Sequence, residues 1–176
     1  MIKNKKALST VIATVLIILL VLVSVAIVWK FIQNIVNSEK LDKAQSCFDA
    51  TSSGKVTIND YYTCYNQTSN EVQFSIDIKD VTIDSLVVSI LVGGNSKSFT
   101  LTNNDTIVPN LRPYKGASGS TVKLPGKNEG KTYVAEGFEA GAGKVDWIKI
   151  APVIAGQQCD ASDETYQVDY CSLYEN

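Results

Sequence analysis

Residues 8–29 contain no charged residue, no proline and no glycine, and only Ser9, Thr10, Thr14 and Ser24 interrupt their apolar run. At about 1.5 Å of rise per helical residue, such a stretch covers about 30 Å, the hydrocarbon thickness of a bilayer. Its apolar positions lie on every side of a helix, as expected where lipid or other apolar helices surround it. Lys3, Lys5 and Lys6 precede the run and none falls inside it. The positive-inside bias therefore puts the N-terminus in the cytoplasm and the rest of the chain outside. This segment alone dictates the plan: one helix that must leave water, and a remainder that has to build its own core.

Past Trp29 the polarity becomes mixed, with Lys30, Gln33, Asn34, Asn37, Glu39 and Lys40 among Phe31, Ile32, Ile35, Val36 and Leu41. Ile32, Ile35, Val36 and Glu39 keep a three-and-four spacing, which predicts that the helix continues as an amphipathic stalk to about Ala44 and reaches about 55 Å. From Val56 onward about 120 residues remain, enough for one ordinary globular domain. Hydropathy leaves three readings of residues 8–29. They are a permanent single-pass anchor, a secretory signal cut after Ala26, or a helix kept in the mature protein once a short leader is removed. Ile27, Val28, Trp29, Phe31 and Ile32 prolong the apolar stretch where a cleavable signal should turn polar, which weighs against the second.

The residues around the lysines bear on the third reading. Lys5-Lys6-Ala7-Leu8-Ser9-Thr10-Val11-Ile12-Ala13-Thr14-Val15-Leu16 resembles the start of archaeal type IV pilins and archaellins, in which two basic residues and a small one precede a Ser-Pro-Val-Ile-Ala-Thr-Val-Leu type of motif. Ala7 stands where glycine is more usual and Thr10 where many relatives have proline. Bacterial type IV pilins carry a glutamate soon after the cut, and this chain has Ile12. The resemblance covers about thirty N-terminal residues, and it implies a class III signal peptide cut by a prepilin peptidase between Ala7 and Leu8, with Lys5, Lys6, Ala7 and Leu8 forming the site. It further implies residues 1–7 as leader, 8–45 as hydrophobic helix and stalk, and 46–176 as extracytoplasmic head. The chain would wait in the membrane and then pack helix to helix with its own copies, as the structural subunit of a surface filament for adhesion or motility. A membrane-anchored binding module that does not polymerise is the alternative.

In the head, Cys47, Cys64, Cys159 and Cys171 form an even set on the outer side of the membrane, where disulfides persist. Four cysteines allow three connectivities. The local pairs Cys47 with Cys64 and Cys159 with Cys171 are expected, because each closes a short loop containing turn residues and would contribute about 3 kcal/mol. Val72, Phe74, Ile76 and Ile78 alternate with polar residues, as in a half-buried strand. Residues 86–92 and 97–102 flank Gly93-Gly94-Asn95 and read as a hairpin. Residues 121–124, 132–138 and 145–153 are further strand candidates between glycine-rich turns. The expected fold class is α+β: a long N-terminal helix, no second long helix, and an antiparallel head resembling the β-sandwich of archaeal pilins and archaellins.

The chain has no histidine and one arginine, Arg112, with a formal net charge of −2. Phosphate-binding surfaces need clustered Lys and Arg, so nucleic acid is not an expected partner. Without histidine the commonest general base and metal ligand are missing, and no nucleophile, base or cofactor constellation replaces it. An enzyme is not expected. Asn66-Gln67-Thr68 and Asn104-Asp105-Thr106 are N-glycosylation sequons in predicted polar turns. Asp160, Ser162, Glu164 and Asp169 offer oxygen ligands near the C-terminus but match no complete metal loop, and a solvated hairpin is the plainer reading. Tyr61, Tyr62, Tyr65, Tyr166, Tyr170 and Tyr174 flank the cysteines; ordinary packing is the first expectation for them and a sugar-stacking surface the second. Ser118-Gly119-Ser120 reads as a turn.

Overall fold

The computed structural model describes residues 5–35, 38–52, 54–139, 143–166 and 168–171. The chain divides into two compact units, Met1–Asp42 and Lys43–Asn176. Helix α1 (Lys5–Ile35) takes in the whole apolar run. Ser24 returns its hydroxyl to the Leu20 carbonyl at 2.7 Å, which satisfies a polar group without help from outside the helix. Helix α2 (Ser38–Ser52) runs well past the expected end near Ala44, and Val36 and Asn37 lie outside the described residues. The physical reason for the longer helix is that residues 45–52 hold no proline or glycine, while fully buried Ala50 gives the last turns a tertiary contact. Thr51 and Ser52 close the end by donating to the Cys47 and Phe48 carbonyls, and Gly54 follows at φ 58°, a backbone state that suits glycine beyond a helix.

Among the described residues, the rest of the second unit is two five-stranded antiparallel sheets. The first holds β1 (Val56–Ile58), β2 (Cys64–Asn66), β3 (Glu71–Ile78), β6 (Leu111–Pro113) and β7 (Glu129–Ala135). Its order is β1–β3–β7–β6, with β2 beside β1 on the same edge of β3. The second sheet holds β4 (Ser85–Val92), β5 (Asn95–Thr102), β8 (Val145–Ile154), β9 (Gln157–Gln158) and β10 (Asp163–Tyr166). Its order is β10–β8–β4–β5, with β9 beside β10 on the same edge of β8. A single apolar cluster joins the two sheets, with Phe74 and Ile76 of β3, Val88 and Ile90 of β4, and Ile148 and Ile150 of β8 all fully buried. Within it the rings of Phe74 and Tyr133 stack at 5.6 Å, and the Tyr133 hydroxyl donates to the Lys123 carbonyl at 2.6 Å.

The alternation read at Val72, Phe74, Ile76 and Ile78 is β3, with all four side chains in the core. The expected hairpin is β4–β5. Val92 pairs with Asn95 across Gly93 and Gly94, whose φ values of 55° and 84° match the positive-φ turn that joins twisted strands most closely. Residues 145–153 lie in β8. The strand expected at 121–124 is not formed; Val122 makes an isolated bridge to Thr106, and the next N–H on that side, of Leu124, donates to the Thr102 carbonyl, which is out of register with a continued ladder. Val122 and Leu124 are nonetheless buried. The segment expected at 132–138 is β7, which starts earlier and stops at Ala135, before Gly137 turns the chain at φ 76°.

The disulfides differ from the expected local pairs. Cys47 of α2 bonds to Cys159, 112 residues away, and Cys64 of β2 bonds to Cys171, 107 residues away. The sheets explain this. Cys159 follows β9 and donates its N–H to the Pro152 carbonyl of β8, while the last described segment returns to β2 through a parallel bridge between Tyr65 and Tyr170. Turn residues inside a short loop permit a local bridge, but the strand order decides which cysteines meet.

Candidate functional site

Two surfaces of the chain lack an obvious structural explanation. The first is α1. From Ile12 to Gln33 it is long and apolar enough to cross a membrane, and none of it is covered by its own unit. Leu20 is 69 % exposed and Phe31 67 %, values that water does not favour for side chains of this size. The backbone of the expected leader site, Lys5, Lys6, Ala7 and Leu8, forms the start of α1, and residues 1–4 of the expected leader lie outside the described residues.

The second surface is the outer face of the first sheet. Register places Cys64 opposite Gln73, Gln73 opposite Val134, and Val134 opposite Arg112. Residues directly opposite share a face, so this row crosses β2, β3, β7 and β6 on the side away from Val72, Phe74 and Tyr133. It floors a groove made of two adjoining hollows of about 230 and 380 Å³, which share Cys64, Gln73 and Tyr114. Tyr61, Tyr62 and Tyr114 stand at its sides, 66 %, 54 % and 50 % exposed. Tyr61 and Tyr62 meet edge to face at 4.9 Å. The short 3-10 turn Asp60–Tyr62 presents both rings, and the Tyr62 carbonyl accepts the Gln73 side-chain amide at 3.1 Å.

Arg112 anchors one end of the groove. Its Nη2 donates to both Glu71 oxygens at 3.2 and 3.1 Å, its Nε to Glu136 at 2.5 Å, and its Nη1 to the Tyr114 and Gly116 carbonyls at 3.3 and 3.4 Å. Burial pulls the guanidinium pKa down, and the hydrogen bonds and charges of Glu71 and Glu136 more than offset this and raise it. Ser118 donates to the other Glu136 oxygen at 2.8 Å, and Ser69 to Glu71 at 2.9 Å. The guanidinium is thus committed to two carboxylates, and one positive charge faces two negative ones.

No protein-family model and no curated protein matches this chain.

The remaining sequence candidates separate. Asn66 and Asn104 are both exposed. Asn66 lines the groove, and its Oδ1 accepts the N–H groups of Thr68 and Ser69 at 2.9 and 3.3 Å in a local turn. Among the described residues no group of three or more His, Cys, Asp or Glu is placed to hold a metal ion. Asp160, Ser162, Glu164 and Asp169 are engaged differently: Ser162 binds the Ile150 carbonyl, and Glu164 pairs with Lys149 at 2.7 Å. That hydrogen bond holds the Glu164 pKa down and raises the Lys149 pKa. Of the six tyrosines, Tyr61 and Tyr62 reach the groove; Tyr65 is buried against Tyr170, Tyr166 is exposed on β10, and Tyr174 lies outside the described residues. Sequence reasoning missed Gln73, Tyr114 and the Arg112 cluster. A lone arginine in an acidic chain was the available signal.

Proposed function

We propose that this chain is the structural subunit of an archaeal type IV pilus-like surface filament, made in the membrane and released from its leader between Ala7 and Leu8. The observation that carries the proposal is the run Ile12–Gln33, apolar on every side, uncovered within its own unit, and preceded by Lys5, Lys6 and Ala7. Drawn out of lipid, that surface has to be reburied at about 25 cal/mol per Å² otherwise exposed. A bundle of identical helices provides the cover, and head-to-tail contacts that do not close into a ring give open fibres. Prepilin peptidase, the membrane and further copies of this chain are the proposed partners, and no catalytic role is assigned. In this reading the disulfide-linked head lies outside the cell with its two sheets stacked as an antiparallel β-sandwich, and Asn66 and Asn104 are glycan acceptors.

Mass spectrometry of the mature N-terminus tests the first step: a start at Leu8 is expected, and an intact Met1 or a start at Ile27 overturns it. Negative-stain microscopy of sheared surface material, labelled with an antibody to the head, is expected to show decorated filaments. The groove favours a second reading, an anchored binding module. Correct cleavage with the chain confined to detergent-extracted membranes, and no sheared filaments, selects it.

A further inference from the structure

We propose that the groove over Gln73, Val134 and Arg112 is a binding site for a neutral saccharide, gripped between Tyr61, Tyr62 and Tyr114. This goes beyond the filament reading and holds whether or not the chain polymerises.

Three observations carry it. The rings of Tyr62 and Tyr114 are half exposed on either side of a groove whose larger hollow, about 380 Å³, is of the size that small-molecule sites occupy and which the smaller one, about 230 Å³, extends. Exposed tyrosines offer flat apolar area with a polar tip, which suits the C–H face of a pyranose ring bordered by hydroxyls. The floor then decides the ligand's polarity. Gln73 donates its amide to the Tyr62 carbonyl, and among the described residues nothing donates to its Oε1. Glu71 keeps acceptor capacity beyond its bonds from Arg112 and Ser69. Donors stand beside these acceptors, since only the Oδ1 of Asn66 is engaged, leaving its amide N–H groups, and Tyr114 adds its hydroxyl; sugar hydroxyls, donor and acceptor at once, match that mixture. Charge excludes the obvious competitor. All three guanidinium nitrogens of Arg112 are already bonded, and Glu71 with Glu136 leaves the groove's end net negative, so sialylated, uronic or phosphorylated sugars are disfavoured.

The test uses the full chain, produced without glycosylation and dispersed in a detergent that has no sugar head group. An array of neutral and acidic glycans is screened, and hits are titrated by saturation-transfer NMR with irradiation of the tyrosine ring protons. Expected is transfer to ring C–H protons of a neutral saccharide, weakened at least tenfold by Tyr62→Ala and by Tyr114→Ala and unchanged by Tyr166→Ala on β10. Circular dichroism and retained disulfides check that each variant is folded, and Gln73→Leu supplies a second, aromatic-neutral loss of binding. No neutral ligand, selection of acidic glycans, or binding indifferent to both tyrosine variants overturns the proposal. Because the chain is dispersed, failure here leaves the filament reading untouched. Occupation of the groove by a glycan grown on Asn66 is separated by glycosylated protein: loss of binding there, restored by Asn66→Gln, is a further expected result of a sugar-shaped site.

Discussion

Arg112 ties an edge strand to the body of its sheet, since β6 has three residues and, among the described residues, pairs with β7 alone. Its side chain reaches back over Val134 to Glu71 on β3, and all three charged side chains are less than a quarter exposed. Removing the guanidinium would leave two carboxylates near each other in a partly desolvated place. Arg112→Met is therefore expected to destabilise the head by about 3 kcal/mol, and Arg112→Lys by less, because one ammonium cannot serve both carboxylates in a planar fork. Urea unfolding of the oxidised chain checks both. Glu129 gives a pH-dependent counterpart. The Gly126 N–H, donating at 2.6 Å, holds its pKa below the usual carboxylate value, and Lys131 assists. A carboxylate whose folded pKa is depressed contributes stability above its unfolded pKa and loses it as pH falls through the folded one. Glu129→Gln should thus lower Tm at neutral pH and match the parent in acid below the folded pKa. The gap should stay under about 1 kcal/mol, since the side chain is 47 % exposed and solvent screens it. Thermal melts across a pH series measure the difference.

At the scale of elements, legibility followed length and periodicity. β3, β4, β5 and β8 have eight to ten residues each, enough for an alternating or continuous apolar pattern to stand out, and the hairpin announces itself through Gly93-Gly94. Strands β1, β2, β6, β9 and β10 have two to four residues, too few to show a period, and exist because a longer neighbour offers a free edge. The groove was hidden for the same reason. Its floor is a row across four strands, brought together by register between residues 64, 73, 134 and 112, and no local pattern encodes a row of that kind. The helix end near Ser52 is not legible in the sequence because residues 45–52 carry no apolar period, although nothing in them opposes a helix. The hairpin turn is testable by itself. A Cβ on Gly94 would meet nothing within 4 Å, so the effect of a side chain there is backbone strain alone at φ 84°. Gly94→Ala is expected to destabilise by about 1–2 kcal/mol and Gly94→Asn by less, asparagine being tolerant of positive φ. Equilibrium denaturation of the pair separates strain from packing.

For the whole molecule the disulfides matter most, because each ties an early part of the head to a segment more than a hundred residues later. The first of these bridges to close contributes about 4.7 kcal/mol in the chain-entropy model and the second, which then closes a much shorter loop through the first, about 3 kcal/mol, the value each short loop of local pairing would have. The connectivity also sets how the head bears load. A pull applied through α2 enters at Cys47 and passes directly to Cys159, so the 112 residues of sequence between them are bypassed as long as the bridge holds. Cys64–Cys171 encloses nearly the same stretch, with a separation of 107 residues. Stretching a single oxidised chain between handles on α2, ahead of Cys47, and beyond Cys171 should therefore release little length even after the sheets come apart. Reducing both bridges should add the contour of those 112 residues, about 380 Å at about 3.4 Å per residue. Local pairing predicts a different trace, in which most of that length is released before any reductant is added. Under the proposed filament reading this arrangement is an advantage, since a head pulled from its core would stay short. The oxidised and reduced extension curves decide between the two pairings without any assumption about filament assembly.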